Sequence, residues 1–403
     1  MAATNFVLVA ASLLCAVIFF RPKLLRSRTW RATVTPLASI IGSGFLVAGP
    51  LLAHAAGTLA WAAMLGLCAT GYLFGSAIRH NILHVEPKLR HKPPLPVAAL
   101  ETASDLALSF AYFVSVAYYL NLFAAFGLRL VDVVDPVAVR IGATGAIAVV
   151  GVIGALGGLR GLERLEVGAV GLKLSLIGGL VVALGFAAII MVANGTLSWY
   201  APDHVRGSKE IGILLGLVIL VQGFETSRYL GDEYDAETRV KTMRRAQWFS
   251  TGIYFVFIVL ITSYFTGDLP LAGGETAIID MLMPLGTAVA PLIILAALSS
   301  QLSAAVADMN GAGGLIEETS RHRLKVKTGN LVTALVAIAL TWMADIYEII
   351  TLASQVFVLY YALQSAQAAL SAYGQRRYGR TALFAGGILI ALAVIIFAVP
   401  AEA

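Results

Sequence analysis

Charge is what this sequence has least of. Only 13% of its 403 residues are Asp, Glu, Lys or Arg, against 59% that are hydrophobic, and the mean hydropathy is +0.85. A chain so poor in charge cannot clothe itself in water-compatible side chains, which excludes a soluble globular domain. Cysteine is scarcer still. Cys15 and Cys68 are the only two, both lie in apolar runs, and neither has the spacing of a metal ligand or a redox pair. No group of His, Cys and carboxylate has metal-ligand spacing, and no nucleophile stands with a base, so no metal, cofactor or intramembrane enzyme is expected. The run Gly151, Gly154, Gly157, Gly158 and Gly161 is similar to a dinucleotide loop, but no strand precedes it. Glycines at four-residue spacing in an apolar span mark close helix packing instead.

Long apolar runs are what the sequence has in their place. A bilayer forces every backbone N–H and C=O to find an internal partner, so spans are helices or a closed barrel. These runs are continuous and not alternating, which selects helices. Twelve stretches can cross a core of about 30 Å: 4–20, 34–55, 57–78, 97–127, 137–157, 166–193, 209–230, 247–266, 288–312, 329–343, 346–372 and 382–399. Nothing between them is long enough to fold separately, so the chain reads as one all-α membrane protein.

Basic residues fall in alternate loops. They lie in 21–31 (Arg21, Lys23, Arg26, Arg28, Arg31), 79–92 (Arg79, Lys88, Arg90, Lys92), 160–164 (Arg160, Arg164) and 228–245. The pattern continues in 321–327 and 376–380, leaving Arg129, Arg140, Arg206 and Lys209 for the other side. Cationic loops are retained in the cytoplasm, which places both termini outside an inner membrane. The excess charge, net +5, is explained by anionic headgroups at that face, so no nucleic-acid partner is implied. The run 4–20 reads as a retained helix, because its basic cluster follows it and no small-residue cleavage site precedes Arg21.

Two spans carry glycine and polar groups at mid-membrane depth. The second holds Ile40-Ile41-Gly42-Ser43-Gly44-Phe45 and then Gly49-Pro50; the seventh holds Val221-Gln222-Gly223-Phe224-Glu225-Thr226. Glycine and serine are poor helix formers, and Gln and Glu are penalised in hydrocarbon, so discontinuous helices are expected at Gly42–Gly44 and Gln222–Glu225. The two sites lie five spans apart in oppositely directed helices. That separation is what a 5+5 inverted repeat requires, with its site at the midplane.

At these residues the chain resembles the amino acid–polyamine–organocation (APC) transporters, which have the LeuT-like fold. Ile41-Gly42-Ser43-Gly44-Phe45 with Gly49-Pro50 is similar to that family's first core helix. Gly223-Phe224-Glu225, then Glu233 and Arg239, is similar to the sixth core helix and its loop, although the family's Lys-Asn-Pro reads Tyr234-Asp235-Ala236 here. Gly161 to Arg164 leading into Gly171-Leu172-Lys173-Leu174 is similar to the start of the fifth. Family members commonly begin at the broken helix and number twelve. Here residues 1–31 add an earlier helix and basic loop, and 32–403 form the APC-type domain. Its repeats run from about 32 to 193 and from about 209 to 372, followed by the final helix 382–399.

Broken-helix N-termini present unpaired N–H groups and a positive dipole end, suited to a carboxylate. Ile41, Gly42, Ser43 and Gly44 supply that half; carbonyls near Gln222 and Gly223 can accept from an ammonium. The resemblance implies that these two poles hold an amino acid, with Phe224 as a wall; Tyr118 is a further hydroxyl near mid-depth. Lys173 lies about seven residues inside its span, where it either snorkels or sits in a polar cavity. The resemblance implies the second, because proton-coupled members hold a lysine there where sodium-coupled relatives hold an ion. Ile41, Gly42, Ser299 and Ser300 are its expected neighbours. Glu225 is the second proton candidate, or else ties the halves of its own helix together. Glu101, Asp105, Asp308, Glu317 and Glu318 are assigned to cytoplasmic ends. The function expected is secondary active transport of a small amino-acid-like solute, proton-coupled or by exchange, by alternating access. The alternatives are transport of an inorganic ion or organic amine, or a non-transporting sensor or channel on the same scaffold.

Overall fold

The computed structural model describes residues 2–89, 95–156, 159–198, 207–231, 233–265 and 273–401. Arg90, Lys92, Gly157, Gly158 and Arg206 fall outside them, as do the side chains of Ser43, Arg160, Gly161, Glu163 and Arg164. The long elements are α1 Ala2–Phe19, α2 Arg28–Ala56, α3 Ala60–His84, α4 Leu95–Leu128, α5 Pro136–Leu156 and α6 Leu159–Ala193. They continue with the short α7 Ser208–Gly216, then α8 Ala236–Ile261, α9 Val289–Thr319, α10 Val326–Met343, α11 Ile346–Gly374 and α12 Tyr378–Phe397. Among the described residues ten runs are long and apolar enough to cross a membrane. One of them, Arg28–His84, divides at Gly57, whose positive φ of 51° ends α2. Its two helices both pack on α8, so they lie side by side as separate passes.

Local chemistry explains where helices begin. Ser27 caps α2, its hydroxyl accepting from Trp30 N at 3.3 Å. Asp235 caps α8, and Asp345 forms a capping box with Glu348 at the start of α11. The seventh pass is broken. Its helix stops at Gly216, a 3₁₀ turn covers Val218–Val221, Gln222 is extended, Gly223 has φ +112°, and a second 3₁₀ stretch runs Phe224–Leu230. Only glycine adopts that φ without strain.

The discontinuity expected at Gly42–Gly44 is not there: α2 runs as helix through all three residues. The glycines allow close approach instead. A Cβ at Gly44 would come 2.7 Å from the Leu220 Cα, and one at Gly42 would come 2.6 Å from the Lys173 ammonium. Losing those side chains lets the neighbouring segments reach the helix, and the packing gained offsets the poor propensity.

Packing between elements recurs with a period of five. Helix α6 packs on α9 as α11 packs on α4; α4 packs on α5 as α9 packs on α10; α2 packs on α8 as the broken pass packs on α3. These are the pairs an inverted repeat exchanges. Two helices flank the ten: α1 lies along α6, and α12 lies along α11. On α6 the small residues Gly171, Gly178 and Gly179 admit α1 closely, a Cβ at Gly179 falling 2.8 Å from the Ser12 nitrogen. The start of α1 is pinned to the turn before α9, with Thr4 Oγ1 donating to Leu285 O at 2.7 Å and Ala288 N donating to Asn5 Oδ1 at 2.9 Å. Its other face leaves Leu13, Leu14 and Val17 exposed, as a lipid-facing stripe requires.

Candidate functional site

A cavity of about 680 Å³ lies between α2, α6, α9 and the stretch after the break. Exposed Arg31, Glu233 and Glu318 form its rim, on the side of the basic loops. Its inner end is Lys173, held by α6 against Ala38 of α2. The other side of α2 is closed: the Phe45 ring packs on Tyr254 and Phe257, and Gly49 sits against Ile261 and Ile278.

Lys173 is buried and does not snorkel. Its ammonium donates to Ala38 O at 2.6 Å and to Ser300 Oγ at 3.3 Å, and the Ser300 hydroxyl donates to Gly42 O at 2.9 Å. Ser299, its neighbour in sequence, donates to Ala296 O of its own helix instead. Two carbonyls of α2 one turn apart thus have side-chain donors from α6 and α9. A third, Ile40 O, accepts from Tyr254 OH at 3.1 Å, and the same hydroxyl donates to Leu220 O at 2.7 Å. A charged amine at this depth needs such oxygens, since hydrocarbon offers none.

The remaining residues expected in a site are brought together but shut against one another. A Cβ at Gly223 would come 2.7 Å from the Ser39 carbonyl carbon, so the break lies directly on α2. Ile41, Phe224, Gln222 and Tyr118 are buried, and none of them lines the cavity. Gln222 Nε2 donates to the OH of Tyr119 at 2.8 Å, the residue next to the Tyr118 named from sequence. Glu225 closes its own break: its Oε2 accepts from Gly223 N at 2.9 Å and from Tyr361 OH at 2.8 Å. Phe224 stacks on Tyr361, ring centres 5.0 Å apart.

Sequence reasoning missed Asp308. Assigned to a helix end, it is buried on α9, lines the cavity and accepts the hydroxyl hydrogen of Ser115. Its position inside an apolar span was the available signal. Glu101 pairs with Arg228, while Arg239 holds Glu86 through two contacts of 3.1 and 2.7 Å. Gln367 Nε2 reaches Glu101 Oε2 at 3.0 Å. These groups knit α4, α8, α11 and the segment just after α3 to the stretch after the break.

Residues 22–398 match a family described as APC superfamily transporter. An uncharacterized protein of Aquifex aeolicus (strain VF5) is 38% identical over 399 residues, spanning 98% of this chain and 97% of the relative. A Na+-coupled sialic acid symporter, solved substrate-bound and outward-open, shares 14% identity with a TM-score of 0.50 over 100% of this chain and 98% of its own. A nucleobase-cation-symport-1 family transporter, closed with bromovinylhydantoin bound, shares 15% identity with a TM-score of 0.44, covering 93% and 91%. At such identities the symporter's likeness concerns the fold alone.

Proposed function

Because the chain belongs to the APC superfamily and is a multi-pass secondary transporter of LeuT-like fold, we propose that it moves an amino-acid-like solute coupled to protons. The observation that carries the coupling is the buried Lys173 ammonium, bonded to Ala38 O and Ser300 and wedged against Gly42. The solved symporter noted above is Na+-coupled. In this chain a cation already stands beside those oxygens, and two like charges a few ångströms apart in a low-dielectric site repel strongly. Loss of the lysine proton weakens its hold on the α2 carbonyls and on Ser300, freeing α2 to separate from α6 and α9. Proton release and helix movement are thereby linked.

The solute enters from the basic-loop side in the conformer described, and reaches the α2 and Gln222–Gly223 backbone only after those segments part. A second reading, an organic amine as cargo, is favoured by Asp308 in the cavity wall. Thermal-shift screening of amino acids, amines and inorganic ions separates the two, since ligand binding raises the melting temperature by mass action. Uptake in proteoliposomes under imposed proton and sodium gradients tests the coupling. Lys173→Ala is expected to abolish the pH dependence without creating a sodium requirement, and Lys173→Arg to hold one conformation, because guanidinium stays charged. Wild-type uptake that follows sodium and ignores pH overturns this assignment.

A further inference from the structure

Buried polar atoms without a partner are costly in water-excluded protein and costlier in a lipid-embedded bundle. In this molecule a run of them lies along the α3–α11 interface. Gln364 Nε2 and Gln367 Oε1 of α11, Asn81 Oδ1 and His80 Nδ1 of α3, and Ser227 Oγ beside the break have no hydrogen-bond partner among the described residues. All five residues are at most 3% exposed.

The atoms around them form a ladder. Tyr360, Gln364, Gln367 and Ser371 recur at four, three and four residues, which sets them on one face of α11. At the inner end Tyr361 OH donates to Glu225 Oε2 at 2.8 Å. One turn on, Asn81 Nδ2 donates to Gln364 Oε1 at 2.9 Å; further on, His80 Nε2 stands 3.1 Å from Ser371 Oγ. From Tyr361 to Ser371 the helix rises about 15 Å, half of a bilayer core of about 30 Å. The ladder therefore leads from Glu225 at mid-depth to the end of α3 that bears the basic loops.

Gln364, Asn81 and His80 each use one side-chain atom in the ladder and leave another unpartnered. A buried water can satisfy such atoms, since it hydrogen-bonds to two to four polar groups. None of the five residues lines the solute cavity, and Tyr361 stands between Phe74 and Phe224, ring centres 5.1 and 5.0 Å away. We propose that the α3–α11 seam is a water-filled pathway carrying protons between Glu225 and His80, separate from the path of the solute.

The pathway rests on the proton-coupled reading and gives it a route. A proton taken up at the His80 ring passes along waters and hydroxyls, each oxygen accepting one and releasing one, until it reaches the Glu225 carboxylate. Charges that bear on His80 are His84 of its own helix, Lys88, Arg377 and Arg380. The titratable groups that face Glu225 are the neutral Tyr361 and Tyr360 of α11 and Tyr112 and Tyr119 of α4, and the Arg228 guanidinium stands beside Tyr360, paired with Glu101. A neutral imidazole has one ring nitrogen able to accept.

Radiolytic hydroxyl labelling of the full chain in nanodiscs tests the water directly. Tyr360, Tyr361 and His80 are expected to label as readily as the exposed Tyr229, several-fold above Tyr254, which is equally buried but has its hydroxyl paired with two carbonyls. Gln364→Leu should lower that labelling several-fold while leaving Tyr229 unchanged and Tyr254 protected, the latter showing that the variant is folded; Gln367→Leu provides a second variant. Proton entry into pyranine-loaded proteoliposomes under a potassium diffusion potential tests conduction. Entry should exceed that of empty liposomes, fall at least fivefold in Gln364→Leu and persist in Lys173→Ala. Labelling of the seam no stronger than of Tyr254, no protein-dependent proton entry, or entry lost in Lys173→Ala and kept in Gln364→Leu would each overturn the proposal. A labelled, conducting seam in a protein whose uptake ignores pH would leave the seam standing and sink only the coupling of solute to protons.

Discussion

At the scale of single residues, what a glycine's missing Cβ leaves room for decides its role. Gly42 and Gly44 look alike in sequence, but a Cβ at Gly44 would strike backbone of Leu220, whereas one at Gly42 would meet the flexible end of Lys173. Gly44→Ala is accordingly expected to cost about 1–3 kcal/mol by overpacking, and Gly42→Ala less, both read as melting-temperature shifts in detergent. Equal losses would show that the lysine end cannot yield. Glu225 poses a different question, since sequence left it either a proton carrier or a tie across its own break. Its Oε2 does bind Gly223 N and Tyr361 OH together. Glu225→Gln keeps an acceptor oxygen, so stability should survive. Glu225→Ala strands two buried donors, at about 1–3 kcal/mol each. A Glu225→Gln variant as unstable as Glu225→Ala would contradict this. Asp308 shows what was legible but unread: its type and depth were in the sequence, its facing was not, because a helix face is set by neighbours that only the fold supplies.

Among elements, the seventh pass behaves as its sequence suggests and α2 does not. Gln222-Gly223 takes a backbone conformation that side chains resist, while the Gly42-Ser43-Gly44 stretch keeps helical geometry under a dense contact surface. Poor propensity alone cannot separate a break from a packing groove, because glycine serves both ends. The polar face of α11 was likewise readable, as Tyr360, Gln364, Gln367 and Ser371 recur at helical spacing in an apolar span. Its partners on α3 lie nearly three hundred residues away in the chain and could not be read. The cap of α8 carries a pH prediction. Hydrogen bonds from the Thr238 backbone N–H and hydroxyl hold the Asp235 carboxyl below its ordinary 3.8. A depressed folded-state value means the stabilisation is present above the unfolded value and is lost as pH falls through the folded one. Melting followed downward from about pH 4 should therefore steepen less in Asp235→Asn, whose amide oxygen caps without titrating; identical curves would remove Asp235 from the account.

On the scale of the whole molecule, the apolar spans followed from hydrocarbon's demand for internally bonded helix, and the five-span offset of two glycine-bearing polar stretches pointed to the paired packing, although only the second stretch breaks its helix. Sidedness is a global property set by the basic loops. If the basic loops are cytoplasmic, a cysteine replacing Ala3 in a background lacking Cys15 and Cys68 should react with an impermeant maleimide added outside intact cells. Reaction only after the inner face is exposed would reverse the assignment and the direction of the cavity. The fit of α1 along α6, with Thr4 and Asn5 gripping the turn before α9, has a further consequence. Only residues 20–27 join this helix to α2, so its docking is intramolecular, at an effective concentration on the order of millimolar for so short a tether. A chain begun at Pro22 would turn that contact into a bimolecular one. Its glycine groove would then be filled by whatever lipid or helix is at hand, and a separately supplied peptide of residues 1–21 could restore the fit only at comparable local density.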